Sequence, residues 1–313
     1  MGYEVIADLL SKKDRTVILN GATGTEIYRR RVRSDPDLPW SLEGLAYRPD
    51  IVRDIHYDYY RSGANVVTAS CFYTTRYAFQ RSKISPEMAK SFTFLGVLLC
   101  RDAQRLAQID GARQPTCVAG NVAPLETKDP YNSKTVPQKE LAIEEHSEKI
   151  KNLLDAGVDL ILIETMTTLH EASAALQAYD DVGKKTPFWI SFVCDRNGVM
   201  YSGEEISEAA DLVESYSPEV LLVNCTPIDG VTLALKKLQG ITSIPLGAYA
   251  SVEEPVYHES SAWARIPSLS ASQYAHHCKK WLKLGVRVVG GCCGTTPEDI
   301  AEIVRLFGEK EDE

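Results

Sequence analysis

Eight short apolar runs, each separated from the next by a stretch of helical periodicity, constrain this chain more than any other feature. They are 16–20 (TVILN), 65–70 (NVVTAS), 116–120 (TCVAG), 159–164 (DLILIE), 188–193 (FWISFV), 220–224 (VLLVN), 244–249 (IPLGAY) and 286–290 (VRVVG). Near-continuous apolar runs rich in β-branched residues suit strands buried on both faces, and helices between them make the strands parallel. The joints agree. Gly63, Gly157 and Gly285 each stand between the end of a helical stretch and the start of a strand, where a left-handed C-cap is needed. Pro49 suits the first turn of a helix to Arg61, and Thr296-Pro297-Glu298-Asp299 opens a last helix to about Phe307. Eight such units predict an α/β chain folded as a (β/α)8 TIM barrel, a single domain over residues 1–308 with a short acidic tail at 309–313. An open doubly wound sheet is the alternative. A length of 313 residues would also allow two domains, but no linker or break in composition divides the chain. Residues 34–48, 124–136 and 252–268 read as irregular, and all three follow strand C-termini.

Composition narrows the function classes. Acidic residues outnumber basic ones 43 to 34, for a formal charge of −9, the wrong balance for a general nucleic-acid binder. No apolar run reaches the length that spans a bilayer. The first residues have neither a basic n-region nor an apolar h-region, and Ile6 stands where a myristoylation signal needs Ser or Thr. The expectation is a cytoplasmic protein with no membrane and no nucleic-acid partner. Its eight cysteines are then reduced, and serve as core residues, metal ligands or catalysts.

Their positions sort them. Cys100 and Cys278 fall in helices and Cys117 at the start of a strand, so these three read as small buried hydrophobes. Cys71, Cys194, Cys225, Cys292 and Cys293 follow strand C-termini, the face where a barrel carries its chemistry. In a regular strand the vicinal pair Cys292-Cys293 would point to opposite faces. Glycines at 290, 291 and 294 release the backbone from that alternation, so both sulfurs can turn toward one ion. Cys225 ends the sixth strand and can converge with them. Three thiolates with an open fourth position suit a catalytic zinc ion better than a structural one. The bland reading is a core Cys225 beside a vicinal pair that is buried or redox-active.

The segment 20–26 (NGATGTE) has two glycines in four residues, enough for backbone N–H groups to converge on an anion. It lacks the ending of a P-loop, and a plain βα turn is the other reading. Glu164 places a carboxylate on the same rim, with a salt-bridge partner inside the barrel mouth as the alternative. His56, His146, His170, His276 and His277 read as solvent-facing helix residues, and His258 as a loop residue.

Together these pieces are similar to the motifs of the homocysteine S-methyltransferase family, in that family's order: 20–26 (NGATGTE), Glu164-Thr165-Met166, Val223-Asn224-Cys225 and 290–295 (GGCCGT). The likeness runs from residue 16 to 307. It implies a zinc-dependent (β/α)8 barrel that methylates the thiol of L-homocysteine to give methionine, with Cys225, Cys292 and Cys293 as Zn2+ ligands. It also implies that Asn20, Gly21, Ala22, Thr23, Gly24, Thr25 and Glu164 bind the substrate, the loop taking the carboxylate and Glu164 the ammonium group. Two departures bear on specificity. Asn20 stands where the family usually has Asp, and Ser251 near where relatives commonly have Asn. The expected partners are homocysteine and a sulfonium donor, S-methylmethionine ahead of S-adenosylmethionine. A betaine-type enzyme and a non-catalytic zinc- or thiol-binding barrel are the alternatives. The oligomeric state is not legible. An oxidised Cys292–Cys293 pair is expected to be unable to hold the metal.

Overall fold

The computed structural model describes residues 2–30, 32, 35, 37–125, 133–183, 186–254, 264–265 and 269–308. Its eight parallel strands are β1 (Val17–Ile18), β2 (Val66–Thr68), β3 (Cys117–Val122), β4 (Leu160–Met166), β5 (Phe188–Phe192), β6 (Val220–Pro227), β7 (Leu246–Ser251) and β8 (Val286–Gly291). From β2 to β8 each pairs with its neighbour in chain order, and β1 returns to pair with β8. The last seam, β1 against β2, is joined by the Leu19–Val66 bridge. Asn20 N donates to Val66 O there at 2.9 Å, and Asn65 N to Ile18 O at 2.7 Å. The sheet is thus a closed (β/α)8 barrel, which leaves no bare edge to template foreign pairing, and the open-sheet alternative is excluded.

Strand alternation divides the core in two. Val17, Leu19, Val66, Cys117, Ala119, Leu160, Leu162, Trp189, Val220, Leu222 and Val288 fill the barrel interior. The residues between them, such as Ile18, Val67, Val118, Ile161, Ile190, Leu221 and Val289, pack outward on the helices. The helix Glu4–Ser11 closes the N-terminal mouth: Tyr3 and Ile6 join the inner cluster, and Trp189 Nε1 donates to Tyr3 Oη at 3.1 Å. The three helix-to-strand glycines take the left-handed backbone expected of them, with φ of 97° at Gly63, 83° at Gly157 and 89° at Gly285. The helices Pro49–Arg61 and Pro297–Gly308 begin where their prolines place them.

Cys100, Cys117 and Cys278 are all fully buried, as small hydrophobes should be. Desolvation by burial raises each of these thiols, Cys100 to about 12 against the pull of Tyr60 and Arg101. Replacing Cys117 by alanine leaves a small void in the inner layer. The expected outcome is a loss of about 1–2 kcal/mol of stability, read as a Tm lower by a few degrees with metal content unchanged. A lost metal at unchanged Tm would overturn this assignment.

Three expectations need correction. Residues 34–48 are not wholly irregular, because Trp40–Tyr47 is helical; its Leu42 and Leu45 bury apolar side chains that a loop would have exposed. His56 and His146 are not solvent-facing but fully buried. Their helices turn those positions to the barrel, and desolvation pushes His56 down to about 3, so it is neutral. Within 252–268, Glu253–Glu254 pairs antiparallel with Ala264–Arg265. Part of 124–136, His258 and the tail at 309–313 lie outside the described residues. Among the described residues, no helix is long and apolar enough to cross a membrane.

Candidate metal and amino-acid site

The inner face of the barrel changes character toward the strand C-termini. Two residues beyond Ala119, Leu162, Trp189 and Leu222 come Asn121, Glu164, Ser191 and Asn224, and Tyr249 of β7 joins them. Side chains two apart share a face, so these five lie above the apolar layer. They are hydrogen-bonded to one another: Asn121 Nδ2 to Glu164 Oε1 at 2.9 Å, Tyr249 Oη to Glu164 Oε2 at 3.2 Å, Ser191 Oγ with Tyr249 Oη at 2.8 Å and Ser191 Oγ to Asn224 Oδ1 at 2.9 Å. Burial raises the Glu164 carboxyl to about 7 against the pull of Asn121, Tyr249 and the Lys149 charge. Asn121 Oδ1 has no hydrogen-bond partner among the described residues, which leaves an acceptor beside that carboxyl.

Cys225 follows Asn224, and strict alternation would aim it outward like Leu221 and Val223. Its backbone is left-handed instead, with φ 46°, a conformation that costs an L-residue roughly 1–2 kcal/mol and breaks the alternation. The Sγ atoms of Cys225, Cys292 and Cys293 come to lie within 4.8 Å of one another, all three half-buried. Thiolates at 2.3 Å around a tetrahedral ion stand about 3.8 Å apart. The Cys225–Cys293 separation is 4.0 Å. That pair stands near the required spacing, and with all three cysteines reduced the cluster supplies three soft sulfurs suited to a thiophilic ion such as zinc. Cys225 and Cys292, with Cα atoms 5.5 Å apart, are joined here as a disulfide. The bonded pair therefore spans β6 and β8 and is not the vicinal one, since that Cα separation suits a bridge. Cys71 and Cys194 also follow strands but are fully buried away from the cluster.

The glycines around the cysteine pair act differently from what their spacing suggests. Neither Gly290 nor Gly291 has a positive φ; the turn is made at Gly294, with φ 88°. Gly290 and Gly291 are needed for close approach. A Cβ on Gly290 would fall 2.7 Å from Leu19 Cβ, and one on Gly291 would fall 2.2 Å from Thr295 Oγ1.

The cysteine turn and segment 20–26 form one unit. Ala22 N donates to Thr295 Oγ1 at 3.1 Å, Gly294 N to Thr25 Oγ1 at 3.2 Å, and Arg29 Nη2 to Gly294 O at 2.6 Å. Tyr59 Oη donates to Ala22 O at 2.8 Å. Thr23 and Gly24 begin the helix Thr23–Arg29, whose first N–H groups have no intrahelical acceptor. Asn20 is tied at both ends of its amide: Oδ1 accepts from Thr68 N at 2.9 Å and Nδ2 donates to Gly21 O at 2.7 Å. Its side chain staples β1 to β2 beneath the loop.

Sequence reading missed Asn121, Ser191, Tyr249 and Lys149. Asn121 and Ser191 show a faint signal, a polar residue two positions beyond an apolar one on the inner face, legible only once the inward parity is known; Tyr249, two beyond Gly247, lacks it. Lys149 gives none. On the helix Lys139–Asp155 it looks like a surface cation, yet it is fully buried. Its Nζ donates to Cys71 O and Thr74 Oγ1, each at 2.5 Å, and desolvation lowers it to about 8.

A family model for homocysteine S-methyltransferases matches residues 17–307. The homocysteine S-methyltransferase of Escherichia coli K12 is 30% identical over 304 residues, covering 94% of this chain and 96% of that protein. A selenocysteine methyltransferase of Astragalus bisulcatus is 28% identical, covering 98% and 97%. Among solved structures, the E. coli homocysteine methyltransferase MmuM superposes in its oxidized form with a TM-score of 0.83 at 28% identity. Its metallated form gives 0.81 at 26%. Both alignments cover 96% of this chain and 99% of that one.

Proposed function

The chain belongs to the homocysteine S-methyltransferase family and is a methyltransferase, and from that premise we propose that it moves a methyl group from a sulfonium donor, S-methylmethionine first, to the thiol of L-homocysteine. The convergence of three cysteine sulfurs within 4.8 Å, at the same strand ends of the barrel as a buried carboxyl, carries this reading. In the reduced protein Cys225, Cys292 and Cys293 would hold a zinc ion. A bound zinc ion would supply the substrate sulfur in its thiolate form at neutral pH, where a free thiol titrates near 8.5.

The remaining work belongs to the chain. Glu164 receives the ammonium group of the amino acid, with Asn121 Oδ1 as a second acceptor. The first N–H groups of the helix at Thr23, with Gly21, Ala22, Gly24 and Thr25 shaping the loop, receive the carboxylate. Asn20 braces that loop from below. The substrate sulfur forms its new bond to the methyl carbon as the bond from that carbon to the donor sulfur breaks, and the electron pair stays on the donor. A sulfonium leaves as a neutral thioether, so no acid is needed. Alignment and exclusion of water are what the protein contributes.

A donor screen tests this. Reduced, zinc-loaded protein with homocysteine is expected to yield methionine fastest from S-methylmethionine, more slowly from S-adenosylmethionine, and not measurably from betaine. Selenocysteine belongs in the acceptor panel, given the Astragalus relative. Zinc-replete protein that makes no methionine from any of the three donors would sink the proposal, and betaine as the best donor would reassign it.

A further inference from the structure

We propose that Tyr249 and Ser191 are positioning residues for Glu164, tying it to the left-handed turns at the ends of β4 and β6 and so making the site select α-amino acids over des-amino analogues. The inference rests on the reading of Glu164 as receptor for the ammonium group.

The connection is continuous and buried. From Glu164 it passes through Tyr249 Oη at 3.2 Å and Ser191 Oγ at a further 2.8 Å. Ser191 Oγ accepts from Thr165 N at 3.1 Å and donates to Asn224 Oδ1 at 2.9 Å, while Asn224 Nδ2 donates to Thr165 Oγ1 at 2.9 Å. Thr165, with φ 66°, directly follows Glu164, and Cys225, with φ 46°, directly follows Asn224. Ser191 and Asn224 are fully buried, and Thr165 and Tyr249 nearly so. Polar groups are kept at this depth only when their partners are in place. Strained non-glycine residues persist only where their surroundings over-determine them. Ser191 and Asn224 supply that constraint for both turns at once.

Counting hydrogens shows what Tyr249 does. Asn224 Nδ2 is committed to Thr165, so Asn224 Oδ1 is an acceptor, and it takes the hydroxyl hydrogen of Ser191 while Glu164 is neutral. Tyr249 has one hydrogen for two contacts. Facing a neutral Glu164 it donates to Ser191 and accepts from the carboxyl. Facing an ionised Glu164 it turns to the carboxylate, and the Ser191 hydroxyl hydrogen turns to Tyr249 Oη in its place, since either oxygen can donate in that contact. The charged groups near Glu164 are Lys149 from the helix before β4 and the incoming ammonium; Asn121 from β3 donates in either state. Tyr249 is thus the group that adapts as the carboxyl becomes ionised on amino-acid binding, and a phenyl ring cannot do so.

The test compares binding of L-methionine with binding of 4-(methylthio)butyrate, which lacks only the amino group, by calorimetry at neutral pH. Neither ligand has a thiol to titrate and neither needs a methyl donor. Wild type is expected to favour methionine strongly. In Tyr249→Phe that preference falls about tenfold, the worth of one hydrogen bond to a charged group, while affinity for the des-amino ligand stays the same. Ser191→Ala moves the ratio the same way by a smaller factor. Equal losses for both ligands, or an unchanged ratio in Tyr249→Phe at unchanged Tm, would overturn the positioning role. Wild type that shows no preference for methionine would overturn the reading of Glu164 beneath it.

Discussion

Cys225→Ala is expected to purify without bound metal and to lose methyl transfer by about a thousandfold or more. Structural and catalytic zinc sites depend on their full ligand set, and two thiolates from one turn cannot replace three from two strands. The left-handed backbone at Cys225 sharpens this result. Alanine meets the same Cβ penalty at φ 46° as cysteine does, so the substitution removes the sulfur and leaves the local strain where it was. Loss of metal at near-normal Tm is therefore the signature. Metal content after gel filtration, measured beside methionine formation, checks it. Cys194→Ala is the control, because Cys194 also follows a strand but is buried outside the cluster. One equivalent of zinc retained in Cys225→Ala would end the three-thiolate assignment.

Glu164→Gln should lower kcat/KM for homocysteine by about 100-fold, close to 2.7 kcal/mol, and mostly through KM. The amide keeps the shape and offers an oxygen, but it has no charge to meet the ammonium. The same residue predicts a pH dependence. With the carboxyl raised to about 7 by burial, the ionised form that binds an ammonium prevails above that pH and is lost below it. Methionine affinity should thus rise from pH 5.5 to 7.5 and fall about tenfold per unit on the acid side. Glu164→Gln should flatten this profile. A wild-type profile flat across that range would show that the amino group is bound elsewhere.

The local code of the barrel was plain in the amino-acid order. The eight runs, the three glycine joints and the proline-led helices depend on neighbours a few residues away, and residue order specifies such neighbours directly. The cysteines could be sorted for the same reason, since strand ends are local features. His56, His146 and Lys149 were misread or missed because each lies on a helix whose inward stripe is set by the strands it covers. The helix at Trp40–Tyr47 was missed because two buried leucines make a weak periodic signal.

Residue order alone therefore determined the βα repeat, its count of eight units and the three cysteines with a carboxylate at one end. Tertiary structure decided which way each of those groups faces. Whether Cys225 looks into the barrel depends on a left-handed φ imposed by packing, and whether Glu164 is charged depends on the depth to which β4 buries it. The hydrogen-bonded set of Asn121, Ser191, Asn224 and Tyr249 exists only because strands far apart in sequence close into a ring. Alternation along a strand is a property of the chain; convergence across strands is a property of the closed sheet.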